Sequence, residues 1–118
     1  MAPRSQLEIT TSSVIRLVKE EASYHNELIQ QAERIKKLEN AQGGEDENQE
    51  YLLKQERLAL EETKKVLPSL KTKLVNTVAE LESLIAEEGQ KGFESNVEHI
   101  TAAKGAIAKA KTAEREIS

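Results

Sequence analysis

The chain contains no cysteine, which excludes disulfides and thiolate metal sites. It contains no tryptophan, one phenylalanine and two tyrosines. A rounded core in a chain of 118 residues normally leans on aromatic side chains, because each buries a large area. Leu, Val, Ile and Ala must fill this one, which favours a thin, elongated helical bundle over a compact globule. No run approaches the ~18 apolar residues of a membrane span. The opening MAPRSQLEITTSS holds no apolar stretch long enough for a secretory signal, so the expected address is the cytoplasm. Charge of one sign is lacking as well. Seventeen basic and 21 acidic residues are mixed along the chain and leave a net charge of −4. Such mixing creates no strong single-sign field and argues against a dedicated nucleic-acid binder; with no spanning run, no membrane partner is expected either.

What is present is helical period. The length suits one domain, spanning 1–118. Val14, Leu17, Val18, Leu28, Ala32, Ile35 and Leu38 recur at helical spacing, with Thr11, Ser12 and Ser13 as candidate N-caps. The first helix is expected over about 13–40, with Glu33 and Lys37 as an i,i+4 pair. Gly43 and Gly44 break the pattern, and Glu45, Asp46 and Glu47 follow. Asp46 with Gln49 approximates a capping box, and Asn48 is a rival cap. A hairpin loop is expected over about 41–47 and a second helix over about 48–88. At ~1.5 Å per residue, that helix would reach about 60 Å. Leu53, Leu60, Leu67, Leu74 and Leu81 form an unbroken heptad series along it, as in coiled-coil packing.

Pro68 interrupts this series, where proline costs a helix about 3 kcal/mol. The companions of the leucine row are polar before it (Glu56, Arg57, Thr63, Lys64) and largely apolar after it (Leu70, Val78, Leu84, Ile85). A narrow stripe suits one partner helix and a wide stripe suits two. The proline therefore predicts a bend where a two-helix hairpin becomes a three-helix core. The plainer alternative is that it ends one helix and starts another. Gly89 and Gly92 then bracket a turn, Ser95 and Glu98 read as a capping box, and a third helix is expected over about 95–111. Phe93, Ile100 and Ile107, with Val97, Ala103 and Ala110 alongside, would line its apolar face, Gly105 would weaken it, and the tail TAEREIS would fray. The fold class is thus all-α: an elongated antiparallel three-helix bundle, coiled-coil-like, whose long second helix bends at Pro68.

Chemistry of a catalytic kind is not encoded. The Gly43–Gly44 pair precedes acidic residues, which would repel phosphate. The acidic loop lacks the order of a calcium loop. His25 borders the core stripe and His99 falls on a solvated face, neither with a metal-binding companion. Adjacent carboxylates such as Glu20 with Glu21, or Glu61 with Glu62, point about 100° apart on a helix and share no site. No enzyme, cofactor or metal is expected, which leaves binding. Tyr24 and Tyr51 are of a type common in interfaces. The run AAKGAIAKAK could meet an acidic partner, or be a plain solvated face.

The stretch SSVIRLVKEEASYHNEL resembles the N-terminal helix of the tubulin-binding cofactor A family, in which a Ser- or Thr-led start runs into V-x-R-L-x-K-E and then a tyrosine. Arg16, Leu17, Lys19, Glu20, Glu21 and Tyr24 stand in those places. A second block resembles the family's KKQ segment and mid-helix proline, through Lys54, Gln55, Leu67, Pro68 and Leu74. The opening MAPRSQLEI is similar to fungal members. The resemblance covers the chain up to about Glu88. It implies a cytosolic, cytoskeleton-associated chaperone that captures β-tubulin on the route to the αβ heterodimer. It implies no nucleotide, and either a monomer or a homodimer. The partner-binding residues expected from it are Arg16, Lys19, Glu20, Tyr24, Lys54, Gln55 and Glu56. The competing reading is an architectural coiled-coil subunit with no client.

Overall fold

The computed structural model describes residues 3–40 and 47–117. Three helices account for most of them: α1 (Gln6–Asn40), α2 (Glu47–Gly89) and α3 (Val97–Ile117), with a 3-10 turn at Gly92–Glu94 before α3. Among the described residues there is no strand. The fold is all-α, as the helical period requires. Of the expected hairpin loop, residues 41–46, with Gly43, Gly44 and Asp46, lie outside the described residues, and Glu47 is the first residue of α2.

The start of α1 differs from the expectation at about 13. The helix begins at Gln6 because Ser5 and Glu8 form a capping box. The Ser5 hydroxyl accepts from the Glu8 amide at 3.2 Å, and the Glu8 carboxylate accepts from the Ser5 amide at 3.2 Å. The hydroxyls expected as caps lie inside the helix: Ser12 accepts from the Arg4 guanidinium, and the other two bond backward to carbonyls. Thr11 donates to the Leu7 carbonyl at 2.7 Å and Ser13 to the Ile9 carbonyl at 3.1 Å. Such back-bonding satisfies a buried hydroxyl without a cap. Helix α2 passes through Pro68 unbroken, so the proline does not separate two helices. Pro68 itself is exposed, which keeps its ring clear of the packed face.

Two compact units can be described. The three-helix unit takes Met1–Glu20 and Leu70–Ser118. Its core joins Leu7, Val14 and Leu17 of α1, Leu74 and Leu81 of α2, and Ala103, Ala106, Ile107 and Ala110 of α3. Val14 and Leu81 are fully buried. The alanines let the α3 backbone approach the leucines closely, so an aliphatic interior closes without aromatics. Ile15, Val18, Leu70, Val78, Leu84, Ile85 and Ile100 pack around it.

The connection into α3 corrects two expectations. Phe93 does not join the core; it is fully exposed. Gly92 takes a left-handed φ of +64° and Ser95 an extended φ, ψ of −64°, 140°, so the helical phase of Ile100 does not extend back to Phe93. The expected Ser95–Glu98 box is also absent, since Ser95 bonds back to Gly92. Asn96 caps α3 instead, its side-chain oxygen accepting from the His99 amide at 3.1 Å. At the other end α3 runs on to Ile117, past the expected stop near 111, through residues expected to fray.

The two-helix unit, Glu21–Ser69, pairs the rest of α1 with the first half of α2. Arg34 meets Glu56 at 3.2 Å, and the Gln49 amide donates to the Leu38 carbonyl. Moving forward on α1 means moving backward on α2, so the pair is antiparallel. Its seam is mixed. Ile35 is the buried apolar residue; Leu28, Leu38, Leu53, Leu60 and Leu67 are half-buried. Glu21, Gln31 and Thr63 are buried beside them.

Candidate partner-binding surface

The residues expected to meet a partner fall into three settings. Arg16, Lys19 and Glu20 stand one turn apart on α1, within the three-helix unit. Arg16 and Glu20 approach to 3.8 Å, but their side chains are 64% and 45% exposed. Solvent screens such a pair to at most about 1 kcal/mol, so it yields readily to another charge. Lys19 is exposed. Tyr24, in the two-helix unit, is 37% exposed. Lys54 and Gln55 on α2 are exposed and make no bond or ion pair among the described residues.

Glu56 differs from its neighbours. It turns toward α1, where one carboxylate oxygen holds Arg34 at 3.2 Å. Its second oxygen is buried with no hydrogen-bond partner, as is the side-chain oxygen of Gln31. Buried acceptors left unmatched weaken a seam by about 1–3 kcal/mol each. Arg34 also reaches Glu27 at 3.5 Å, and Arg57 reaches Glu39 at 3.7 Å. The two-helix unit is thus edged by charge pairs.

His99 is not on a freely solvated face. Its ring nitrogen lies 3.7 Å from the Glu8 carboxylate, with both side chains about one-third exposed. The Ser5 amide, with help from His99 and Arg4, holds the Glu8 carboxyl below its ordinary 4.5. The Asn96 amide, then Lys91 at 3.1 Å, do the same for Glu88. These contacts tie together the helix ends around the α3 start. His25 is half-buried, in keeping with a place at the core edge.

Several exposed apolar side chains escaped the sequence reading. Ile29, Leu58 and Val75 are 49–57% exposed, and Val97, expected on the apolar face of the third helix, is 70% exposed. The signal for Leu58 was available: it stands two positions before Leu60, about 200° away from the heptad row around the helix. Tyr51 is 60% exposed. Among the described residues no group of His, Asp and Glu could hold a metal, and no helix is long and apolar enough to cross a membrane.

Comparison with known proteins bears on this surface. A family model of tubulin binding cofactor A matches residues 2–107, further than the resemblance up to Glu88, and so takes in the first half of α3. Tubulin-specific chaperone A of Oryctolagus cuniculus and that of Mus musculus are each 32% identical over 83 residues. The aligned part is 70% of this chain and 72% of each relative. No solved structure matches. The family match extends over nearly the whole described helical chain, and the chain therefore belongs to the tubulin binding cofactor A family, a family of chaperones rather than enzymes.

Proposed function

We propose that this chain captures β-tubulin and holds it on the route to the αβ heterodimer, in the cytoplasm, as a chaperone associated with the cytoskeleton. The observation that supports this most is the family match over residues 2–107. The surface suits it. Arg16, Lys19, Glu20, Tyr24, Lys54 and Gln55 stand outward on packed helices, so their backbone positions are set before the client arrives. Preorganisation of this kind lowers the ordering entropy of binding. Glu56 contributes indirectly, by holding Arg34. Contacts made by exposed charges are screened by salt and dissociate readily, which is what a holding chaperone needs. No nucleotide or covalent step enters this mechanism.

The architectural alternative requires a long apolar row left open for another chain. Leu53, Leu60 and Leu67 are instead half covered within the two-helix unit. The test is gel filtration with light scattering of the chain mixed with purified β-tubulin. A discrete complex at low ionic strength, weakening as salt rises, is the expected result. If tubulin is not retained even at low salt, the chaperone reading fails. The same measurement on the free chain decides between monomer and homodimer.

A further inference from the structure

Folding sorts charges that the sequence mixes. In the three-helix unit, Glu8 of α1 lies 3.7 Å from His99 of α3. The Asn96 amide, at the start of α3, donates to Glu88 near the end of α2 at 3.0 Å. One end of the unit is therefore the turn between α2 and α3. Toward the other end, Leu17 of α1, Leu74 of α2 and Ala110 of α3 share the core, and Val75 faces Ala110 across a cleft. Lys19, Lys73 and Lys109 stand there, roughly 15–22 Å from the turn end at ~1.5 Å per residue.

Cut at the middle of each helix, the unit divides by sign. Residues 3–13 and 80–107, on the turn side, carry seven acidic and three basic side chains. Residues 14–20, 70–79 and 108–117 carry seven basic and three acidic ones. The pairs already made sharpen the division. In the basic half Arg16 is matched to Glu20 at 3.8 Å. Lys19, Lys71, Lys73, Lys109 and Lys111 are exposed and make no hydrogen bond or ion pair among the described residues. Against them stands Glu114, half-buried in the cleft beside Lys111. Helix stability does not ask for this arrangement. A helix C-terminus favours cations, yet α2 ends on Glu87 and Glu88 with no basic residue in its last turn. Unmatched lysines gathered from three packed helices repel one another, and interspersed glutamates would relieve them.

We propose that the basic half of the three-helix unit is a docking collar for an acidic protein segment, rich in Glu or Asp and extended enough to reach lysines on more than one helix. Cations focused at one end steer such a segment in, and its carboxylates match them. A nucleic acid is a poorer occupant, because a long polyanion laid along the unit runs onto the acidic half. A flat anionic membrane is poorer too, since it touches one side of a collar at a time. A second copy can offer its own acidic half, but that head-to-tail contact does not close and would propagate into fibres. The collar goes beyond the function proposed above and stands or falls separately from it.

The test is fluorescence anisotropy of a fluorescein-labelled decaglutamate titrated with the full chain at low ionic strength. The expected result is saturable binding that weakens as salt rises. Lys109→Glu with Lys111→Glu should weaken it about tenfold, and Lys71→Glu should add to the loss. Lys36→Glu with Lys37→Glu, in the two-helix unit, changes the net charge equally and should leave binding within about twofold. Helicity and urea midpoint are recorded for every variant, and Lys109→Gln with Lys111→Gln gives the same direction without adding repulsion. No binding by the wild type, or equal losses in the two reversed pairs, would overturn the proposal. Tighter binding of a single-stranded deoxythymidine decamer, or capture by phosphatidylserine vesicles, would assign the lysines to nucleic acid or membrane, against it. Growth of the free chain's mass with concentration, abolished by the Lys109 and Lys111 reversal, would assign them to a second copy, also against it.

Discussion

In the three-helix unit, Leu74 and Leu81 are buried to 1% and 0% exposure, and alanines from α3 close over them. In the two-helix unit, Leu53, Leu60 and Leu67 of the same heptad row stay half-buried, and Glu21, Gln31 and Thr63 fill the gaps. The residue type and spacing along α2 are identical in the two regions. What differs is the number of helices packed against the row. One neighbour cannot cover a leucine ridge, so the seam accepts polar side chains and α2 keeps a free outer side. Two neighbours cover it fully, and the polar side chains buried there are the short hydroxyls of Thr10 and Thr11. Stability is therefore concentrated in the three-helix unit.

The sharpest way to break this comparison is to truncate one leucine in each setting. Leu81→Ala removes a fully buried side chain and is expected to lower stability by about 2–5 kcal/mol, a large share of the ~5–15 kcal/mol typical of a native protein. Leu60→Ala should lose clearly less, since its site already borders water. Equal losses in urea titration would mean that the second seam is closed as firmly as the first. Gln31→Leu is the next largest effect and of opposite sign. Replacing the buried amide, whose oxygen has no partner, should be neutral or stabilise by about 1 kcal/mol. A clear loss would mean that the amide is matched after all.

Gly105→Ala tests α3 in the three-helix unit. A Cβ at this position meets nothing within 4 Å, so the change should stabilise by about 0.5–1 kcal/mol, read from the thermal midpoint. The smallest effect concerns acid. Glu8 and Glu88 are held below 4.5 by amide donors in the folded state, so each favours folding in its charged form. Their contribution is complete above that value and is lost as pH falls through their folded pKa values. Glu8→Gln with Glu88→Gln should flatten the acid limb of the urea midpoint against pH. An unchanged limb would place the acid sensitivity elsewhere.

Much of the fold was legible because it depends on period. The heptad leucines, the narrow and wide stripes and the dense run Val14, Leu17 and Val18 each state how many neighbours a helix face needs. The α1 start was missed because Ser5–Glu8 precedes the apolar run, while Thr11, Ser12 and Ser13 look equally able to cap and differ only in where their hydroxyls bond. Phe93 was misplaced because a seven-residue spacing was carried across Gly92, whose left-handed backbone resets the phase. The exposed outer side of α2 was half legible. Lys54, Gln55 and Tyr51 were singled out, but Leu58 was not. An exposed leucine is invisible to a search for cores, and only its angle from Leu60 marks it as facing the other way.

The placement of the tyrosines has a practical result for spectroscopy. With no tryptophan in the chain, Tyr24 and Tyr51 supply nearly all of its near-ultraviolet absorption and emission, and both lie in Glu21–Ser69. The aliphatic interior around Leu17 and Leu81 is optically silent. Intrinsic fluorescence will follow events in the two-helix unit while missing the melting of the three-helix unit, so its unfolding curve and that from far-ultraviolet dichroism should be recorded together.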